Sequence, residues 1–496
     1  MPFIRPILVL SSLMASFYSD VAVAQPTPVA GLEKMVSTAR PVDLGGLLAI
    51  AVRSEPRLTR ARIDVLAADA AVLSAAGIDD WLLAATGAWW SRRIEGINIV
   101  QEGVGLDVNL GRALPTGGAL SLRAQTRRTS ATNTNYINSV EATFVQPLWQ
   151  GRGRAVARAE QARTRAERDV ATLLRESTAS EVVEEIVTAY WSLAQAWLEL
   201  DIRRGDLALA EEQLRNTQKN IAAGAVSAAE SLSVRHHLVD TRNAIVRAQL
   251  VIVERSLELR RLVGLDVQPD DVTLRVSVPA TIARRQFDLA AMLTRALERN
   301  PRLAALRAGA RGVELAMGVA EDALEPSLDL ELGFGPLGLA DEPGASLNNM
   351  VSLDDVVFRV GLTFRQALGQ RAAHGRLAEV RATRSGYQVE LAEMRAQLGR
   401  AVVLELARLQ SAQEQMDLAQ ESIALSEESV SAVTLRYQNG SATNFEVLER
   451  IDDLEQARLD RAGALIGYLK STTALQAITG DLLGRYGITL ESGSGD

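Results

Sequence analysis

The sequence predicts a mainly α-helical protein with a transmembrane β-barrel portion, built from two internal repeats. Three observations predict this. Long stretches carry apolar residues at helical spacing. Short stretches after them alternate apolar and polar residues with a period of two. Both patterns recur at fixed shifts along the 496 residues.

The recurrence is clearest at two turns. Within Leu435 to Asp453, Gly440 and the small, hydroxylated residues after it interrupt two helical patterns, so the chain turns back on itself there. Lys219 to Val234 does the same 216 positions upstream: Gly224 answers Gly440, Ser227 answers Thr443, Glu230 answers Glu446 and Leu232 answers Leu448. A second shift of 245 positions relates Asp43, Pro56, Arg57 and Leu58 to Asp288, Pro301, Arg302 and Leu303. No proline-rich or Gly/Ser-rich linker divides the chain, so the repeats, not the length, guide its division.

Composition narrows the class. A net charge of −8 and a pI near 5.3 argue against a nucleic-acid binder. With no cysteine there is no disulfide and no lipid on an N-terminal cysteine. Residues 1–24 read as a cleavable export signal: Met1 to Arg5 is positively charged, Pro6 to Phe17 largely apolar, and Ala22-Val23-Ala24 fits a cleavage site before Gln25. No run of eighteen apolar residues follows, so membrane contact falls to strands or an amphipathic surface.

In chain order, 25–42 is an N-terminal extension and 43–80 a helix with Leu44, Leu47, Leu48, Ala51, Leu58 and Val65 at helical spacing, turned or kinked at Pro56. Residues 81–150 hold strands and exposed loops: Val104 to Leu110, Leu120 to Thr126 and Val140 to Phe144 alternate, with a weaker candidate at Ala84 to Arg92. Asp107, Arg123 and Glu141 fall on the polar faces. Leu114 to Gly118 is a hairpin turn, and Arg127 to Asn138 a polar loop. Residues 151–265 form a helical hairpin whose first arm, Gly153 to Ala222, is a rod of about 105 Å at 1.5 Å per residue. Val187, Tyr190, Leu193, Trp197 and Leu200 make a packing seam along it. After a connector (266–286), the second repeat follows: a helix (287–325), strands alternating at Leu328 to Phe334 and Phe358 to Phe364 with a loop at Pro336 to Met350 (326–366), a helical hairpin (367–482), and a tail (483–496). Two short helices laid end to end match one rod in each half. On pattern alone an ordinary half-buried sheet fits the strands as well as a barrel does; the export signal and the surrounding helices favour the barrel.

These motifs, in this order, resemble the TolC family of outer-membrane efflux and secretion channels over essentially the whole mature chain. Phe144 through Arg154 (FVQPLWQGRGR) resembles the family's strand-to-helix junction, and Val360 through Gly369 its second copy, with Ala367 where a proline is expected. Ala189-Tyr190-Trp191 matches an aromatic patch of the long helix, and Arg436 through Gly440 with Thr443, Glu446 and Leu448 resembles the hairpin tip. The resemblance implies a homotrimer, each chain giving four strands to a shared twelve-stranded barrel and four helical rows to a periplasmic tunnel. The strands counted in the first half exceed two, so an additional hairpin near Val104 to Thr126 is expected above the barrel or as part of a broken strand. Implied partners are a periplasmic adaptor (membrane fusion protein), an inner-membrane transporter and outer-membrane lipid. The implied function is a passive conduit for efflux; a type I protein or polysaccharide secretion duct is the alternative. A soluble periplasmic scaffold fits the strands and signal less well.

The candidate site residues follow from the same resemblance. Glu446 and Glu449, on one helical face, stand where the family places the acids of a periplasmic gate, and Arg436 where it places a latch. A solvated acidic helix start and an ordinary exposed arginine account for the same residues. Gly224, Ser227, Gly440 and Thr443 mark the tips where an adaptor would dock. His236, His237 and His374 lack metal-site spacing, Gly151-x-Gly153 lacks the Lys-Ser/Thr of a phosphate loop, and no catalytic constellation can be placed, so no cofactor, metal or enzymatic activity is predicted. The arginines from Arg152 to Arg168 read as a solvated face.

Overall fold

The computed structural model describes residues 31–94, 99–130, 134–224, 226–268, 271–278 and 285–490; the expected export signal lies outside them. The first repeat runs α1 (Leu32–Ser37), β1 (Arg40–Pro41), α2 (Leu44–Ser54), α3 (Pro56–Ala76), β2 (Leu82–Ile94), β3 (Ile99–Ala113), β4 (Ala119–Ser130), β5 (Thr134–Pro147), α4 (Arg154–Ala157), α5 (Ala159–Ala222) and α6 (Glu230–Val263). After β6 (Leu274–Arg275), the second comprises α7 (Leu289–Arg299), α8 (Pro301–Asp322), β7 (Ser327–Ala340), α9 (Pro343–Val351), β8 (Asp355–Arg365), α10 (Arg371–Gln438), α11 (Asn444–Ile478) and α12 (Leu482–Arg485).

The positions shared by the two repeats are helix-start chemistry. Asp43 and Asp288 accept hydrogen bonds from the first turns of α2 and α7, at Gly45 N (2.9 Å) and Ala291 N (2.8 Å). Pro56 and Pro301 occupy the first position of α3 and α8, where the missing N–H costs nothing. The rods α5 and α10 span 64 and 68 residues, and each packs on an end-to-end pair: α6 below α2–α3, and α11 below α7–α8. At the two butt joints Ser54 Oγ donates to Val263 O (2.8 Å) and Asn300 Nδ2 to Ile478 O (3.1 Å). Gly264 (φ 76°) and Gly480 (φ 73°) close the lower helices there; a Cβ on Gly480 would sit 2.6 Å from Arg299 O.

The main core lies midway along α5. Val187, Tyr190, Leu193, Trp197 and Leu200 are all buried in it, as their spacing predicts. The connector and the N-terminal extension pair as parallel strands, β1 with β6 (Arg40 opposite Leu274). Buried Arg260 organises them by donating to the carbonyls of Asp266 and Val272, and Trp197 Nε1 donates to Leu274 O (2.9 Å). The expected tail is also structured as far as Leu490. Leu482 is fully buried, and Asp481 accepts from Arg295 (3.1 Å) and Arg299 (3.2 Å).

The strands form one sheet in the order β2-β3-β4-β5-β7-β8, antiparallel throughout. This is six strands where the resemblance implied four. The polar stretch Arg127 to Asn138 is largely strand: Arg127 pairs with Ile137 and Ser130 with Thr134, because backbone pairing continues beyond the apolar band whatever the side chains. Pro336 to Met350 is the end of β7 followed by α9. Gly338 lets α9 lie against the strand, and buried Ser346 donates to Gly338 O (2.8 Å) and accepts from Asn138 Nδ2 (3.0 Å). Among the described residues no helix is long and apolar enough to cross a membrane.

The Trp197→Ala substitution opens a cavity in the main core and leaves Leu274 O without its donor. It should cost about 3–5 kcal/mol, seen as a lowered midpoint in thermal denaturation of the detergent-solubilised protein, whereas Leu232→Ala at an exposed position of α6 should shift it little.

Candidate functional site

The two tips share a backbone and differ in side-chain bonding. Gly224 (φ 72°) and Gly440 (φ 70°) each adopt the left-handed conformation that ends a helix, and Ser441 N closes the second turn on Arg436 O (2.9 Å). Thr443 then caps α11. Its Oγ1 accepts from Glu446 N (3.3 Å) while Glu446 Oε1 accepts from Thr443 N (3.3 Å), a reciprocal capping box. Arg436 lies beside this box, donating to Ser441 O (3.1 Å) and pairing with Glu446 at 3.5 Å. Arg436 and Glu446, the expected latch and one of the expected gate residues, are therefore in contact within one hairpin. Glu449, one turn further along, is exposed and pairs with Arg450 (2.9 Å). In the first tip Ser227 Oγ accepts from Ala229 N (3.3 Å), and among the described residues no side chain caps the start of α6.

The reason is Asn444, which the sequence reading passed over. It is fully buried between the tips. Its Oδ1 accepts from Gln213 Nε2 (2.7 Å) and Thr217 Oγ1 (2.9 Å), and its Nδ2 donates to Tyr437 OH (3.1 Å) and Glu230 Oε2 (3.2 Å). Glu230, the counterpart of Glu446, thus ties the two hairpins together instead of capping its own helix. The available signal was the pairing of Tyr437 with an asparagine just inside a helix start, but only the fold supplies the partners from α5.

A second polar cluster lies between α5, α6 and α11. Asp206 is buried with neither carboxylate oxygen hydrogen-bonded, and it faces His237 (3.8 Å), Asp452 and Glu455; Arg203 pairs with Glu455 at 2.7 Å. Burial, then the charges of Glu455 and Asp452, push its carboxyl up to about 7. Higher on α5, burial and the nearby charge of Glu405 push Glu184 up to about 7 as well. Of the arginines expected as a solvated face, Arg152, Arg154, Arg165 and Arg168 are exposed, Arg168 pairing with Asp69 (2.7 Å); Arg163 pairs with Glu160 and Glu167, and Arg158 is buried against Asp79.

The sheet has two unlike faces. One carries exposed Leu122, Phe334, Phe358 and Leu362. The other carries ion pairs, Arg123 with Asp107 (2.6 Å), Arg365 with Asp329 (2.7 Å), and Arg359 with Glu141 and Glu331 (3.5 and 3.6 Å). Trp149 packs edge-on against Phe364 and Arg112 lies over Trp81, so aromatic rings mark the end of the sheet nearest the rods.

A family model described as outer membrane efflux protein matches residues 114–265 and 292–481. The fold is that of solved outer-membrane channels. VceC of Vibrio cholerae superposes with a TM-score of 0.62 at 16% identity, over 88% of this chain and 96% of that one. The outer-membrane channel OprN gives 0.64 at 16%, over 92% and 97%. The open state of MtrE of Neisseria gonorrhoeae gives 0.60 at 14%, over 97% and 98%. No curated protein matches in sequence.

Two outcomes are expected. Asn444→Ala strands the donors of Gln213 and Thr217 and should cost about 1–3 kcal/mol, with faster proteolysis at both tips while the sheet end stays resistant. Second, the native Asp206 keeps its proton to about pH 7 while the unfolded one ionises near 3.8. The native state binds more protons between those values, so stability falls as pH rises through that window. Melting at about pH 5 and about pH 8 should show this decline, and Asp206→Asn should reduce it without abolishing it, because Glu184 contributes with the same sign.

Proposed function

The chain belongs to the outer membrane efflux protein family, and from that premise we propose that three copies form one duct, a passive conduit that receives substrate through a periplasmic adaptor from an inner-membrane transporter. The protein is an outer-membrane channel that extends into the periplasm. The observation that carries the reading is the junction of two incompatible surfaces in one chain: a sheet with one apolar and one charged face, continuous with rods about 100 Å long. Lipid suits the first surface and water the second. Three-fold association gives the sheet edges partners, which hydrocarbon requires of every backbone N–H and C=O. The driving energy comes from the transporter.

At the far end of the rods, Gly224, Ser227, Gly440 and Thr443 offer small side chains and turned backbone to a helical hairpin of the adaptor. Glu446 and Glu449 form the periplasmic gate. Three copies bring their carboxylates together at the axis, where like charge favours bound cations, and Arg436 holds Glu446 in the closed arrangement.

Conductance of the purified channel in planar bilayers tests the gate. Divalent cations should block the wild type, and the Glu446→Gln, Glu449→Gln double variant should need on the order of tenfold more cation for half block. Glutamine still serves the capping box, so the variant removes charge without unfolding the tip. Unchanged block would show that the acids only start a helix.

A further inference from the structure

The strand wall holds one hairpin more than the repeat requires. In the second repeat α8 leads into β7, and β8 leads into α10. In the first, α3 leads into β2 and β5 leads toward α5, but β3 and β4 are inserted between them. The insert is no appendage. β2 pairs along its length with β3, β3 with β4 and β4 with β5, so the extra strands sit inside the sheet, flanked on both sides. Their connecting turn is fixed at the rim nearest the rods: Gly153 N donates to Thr116 O (2.9 Å), and a Cβ on Gly117 would lie 2.1 Å from Gly151 O.

Both faces of the sheet run through the insert without a break. Register places Trp89 opposite Val104, and Leu122 in one cross-strand row with Ala142, Phe334 and Phe358; all but Ala142 are exposed apolar side chains. On the other face, Asp107 of β3 is paired with Arg123 of β4, continuing the charged surface formed by Glu141, Glu331 and Arg359. A hairpin lifted out of the wall would break the ladders that join β3 to β2 and β4 to β5, and one folded into the lumen would put Val104, Leu106 and Leu122 in water. The sheet's two edges, β2 and β8, run antiparallel to each other, which is the arrangement head-to-tail closure needs.

We propose that all six strands stand in the lipid-facing wall and that β2 of each copy pairs with β8 of the next, so that three copies close an eighteen-stranded barrel. At equal tilt such a barrel is about half again as wide as a twelve-stranded one. The proposal rests on the trimeric reading above. It places the extra width at the outer membrane and leaves the helical tunnel unchanged.

The cysteine-free chain permits a direct test. Double variants join one of Ala84→Cys, Thr86→Cys or Ala88→Cys on β2 to one of Val357→Cys, Gly361→Cys or Thr363→Cys on β8, all on the charged face, and outer membranes are oxidised. Covalent trimers from a contiguous register of pairs are expected. A native trimer by mass that yields no such cross-link anywhere in the grid overturns the eighteen-stranded wall and leaves the trimer standing. A monomer by mass overturns the trimeric reading itself. Independently, a fluorophore on Leu106→Cys in reconstituted trimers should be quenched at least about twofold by lipids with brominated chains. Quenching by aqueous iodide alone would place the insert off the wall and overturn the proposal.

Discussion

Everything in this structure answers to one constraint: hydrocarbon offers no hydrogen bonds to an unpaired backbone. A helix pairs its own backbone, but these helices are studded with charged side chains and none of those described is apolar over a sufficient length to cross a membrane. The crossing therefore falls to the sheet, and a sheet in lipid must close. The chain supplies part of a wall with two free edges, and the rods continue it into water, where polar faces are no liability.

The rods solve a different problem, that of length. A helix of 64 or 68 residues needs partners along its whole extent, and the chain meets this by stacking shorter helices end to end. The joints are where glycines with positive φ, a serine and an asparagine appear, since helix ends expose carbonyls that something must satisfy. Midway, the main core ties α5 to the connector and the C-terminal residues, so segments that look like linkers in the sequence are packed against that rod.

Duplication set up two tips and divergence made them unequal. Thr443 and Glu446 cap their own helix, whereas Glu230 accepts from Asn444 across the interface between hairpins. The second tip is bonded within itself and the first is bonded to the second. One tip can move relative to the other only by disturbing the buried Asn444, Tyr437 and Thr217 contacts, which makes that network the mechanical link between the hairpins.

Much of the fold was legible because its signals are local. Helical and strand periods, the shifts of 216 and 245 positions, Asp43 and Asp288 before their helices, and the glycine turns depend on residues a few positions apart. So did the buried seam from Val187 to Leu200. The polar stretch Arg127 to Asn138 was misread for the same reason: composition marks it as loop, but its conformation comes from a ladder of partners. Arg436, Glu446 and Glu449 could be named from the resemblance of the hairpin tip, yet the contact of Arg436 with the capping box and the bonds that bury Asn444 could not. By itself the sequence determined the elements, their order and their duplication. The tertiary structure alone decided that six strands share one sheet and that the tips are unequal, because the partners there, such as Asn138 with Ser346 and Gln213 with Asn444, lie some two hundred residues apart and meet only once the chain has folded.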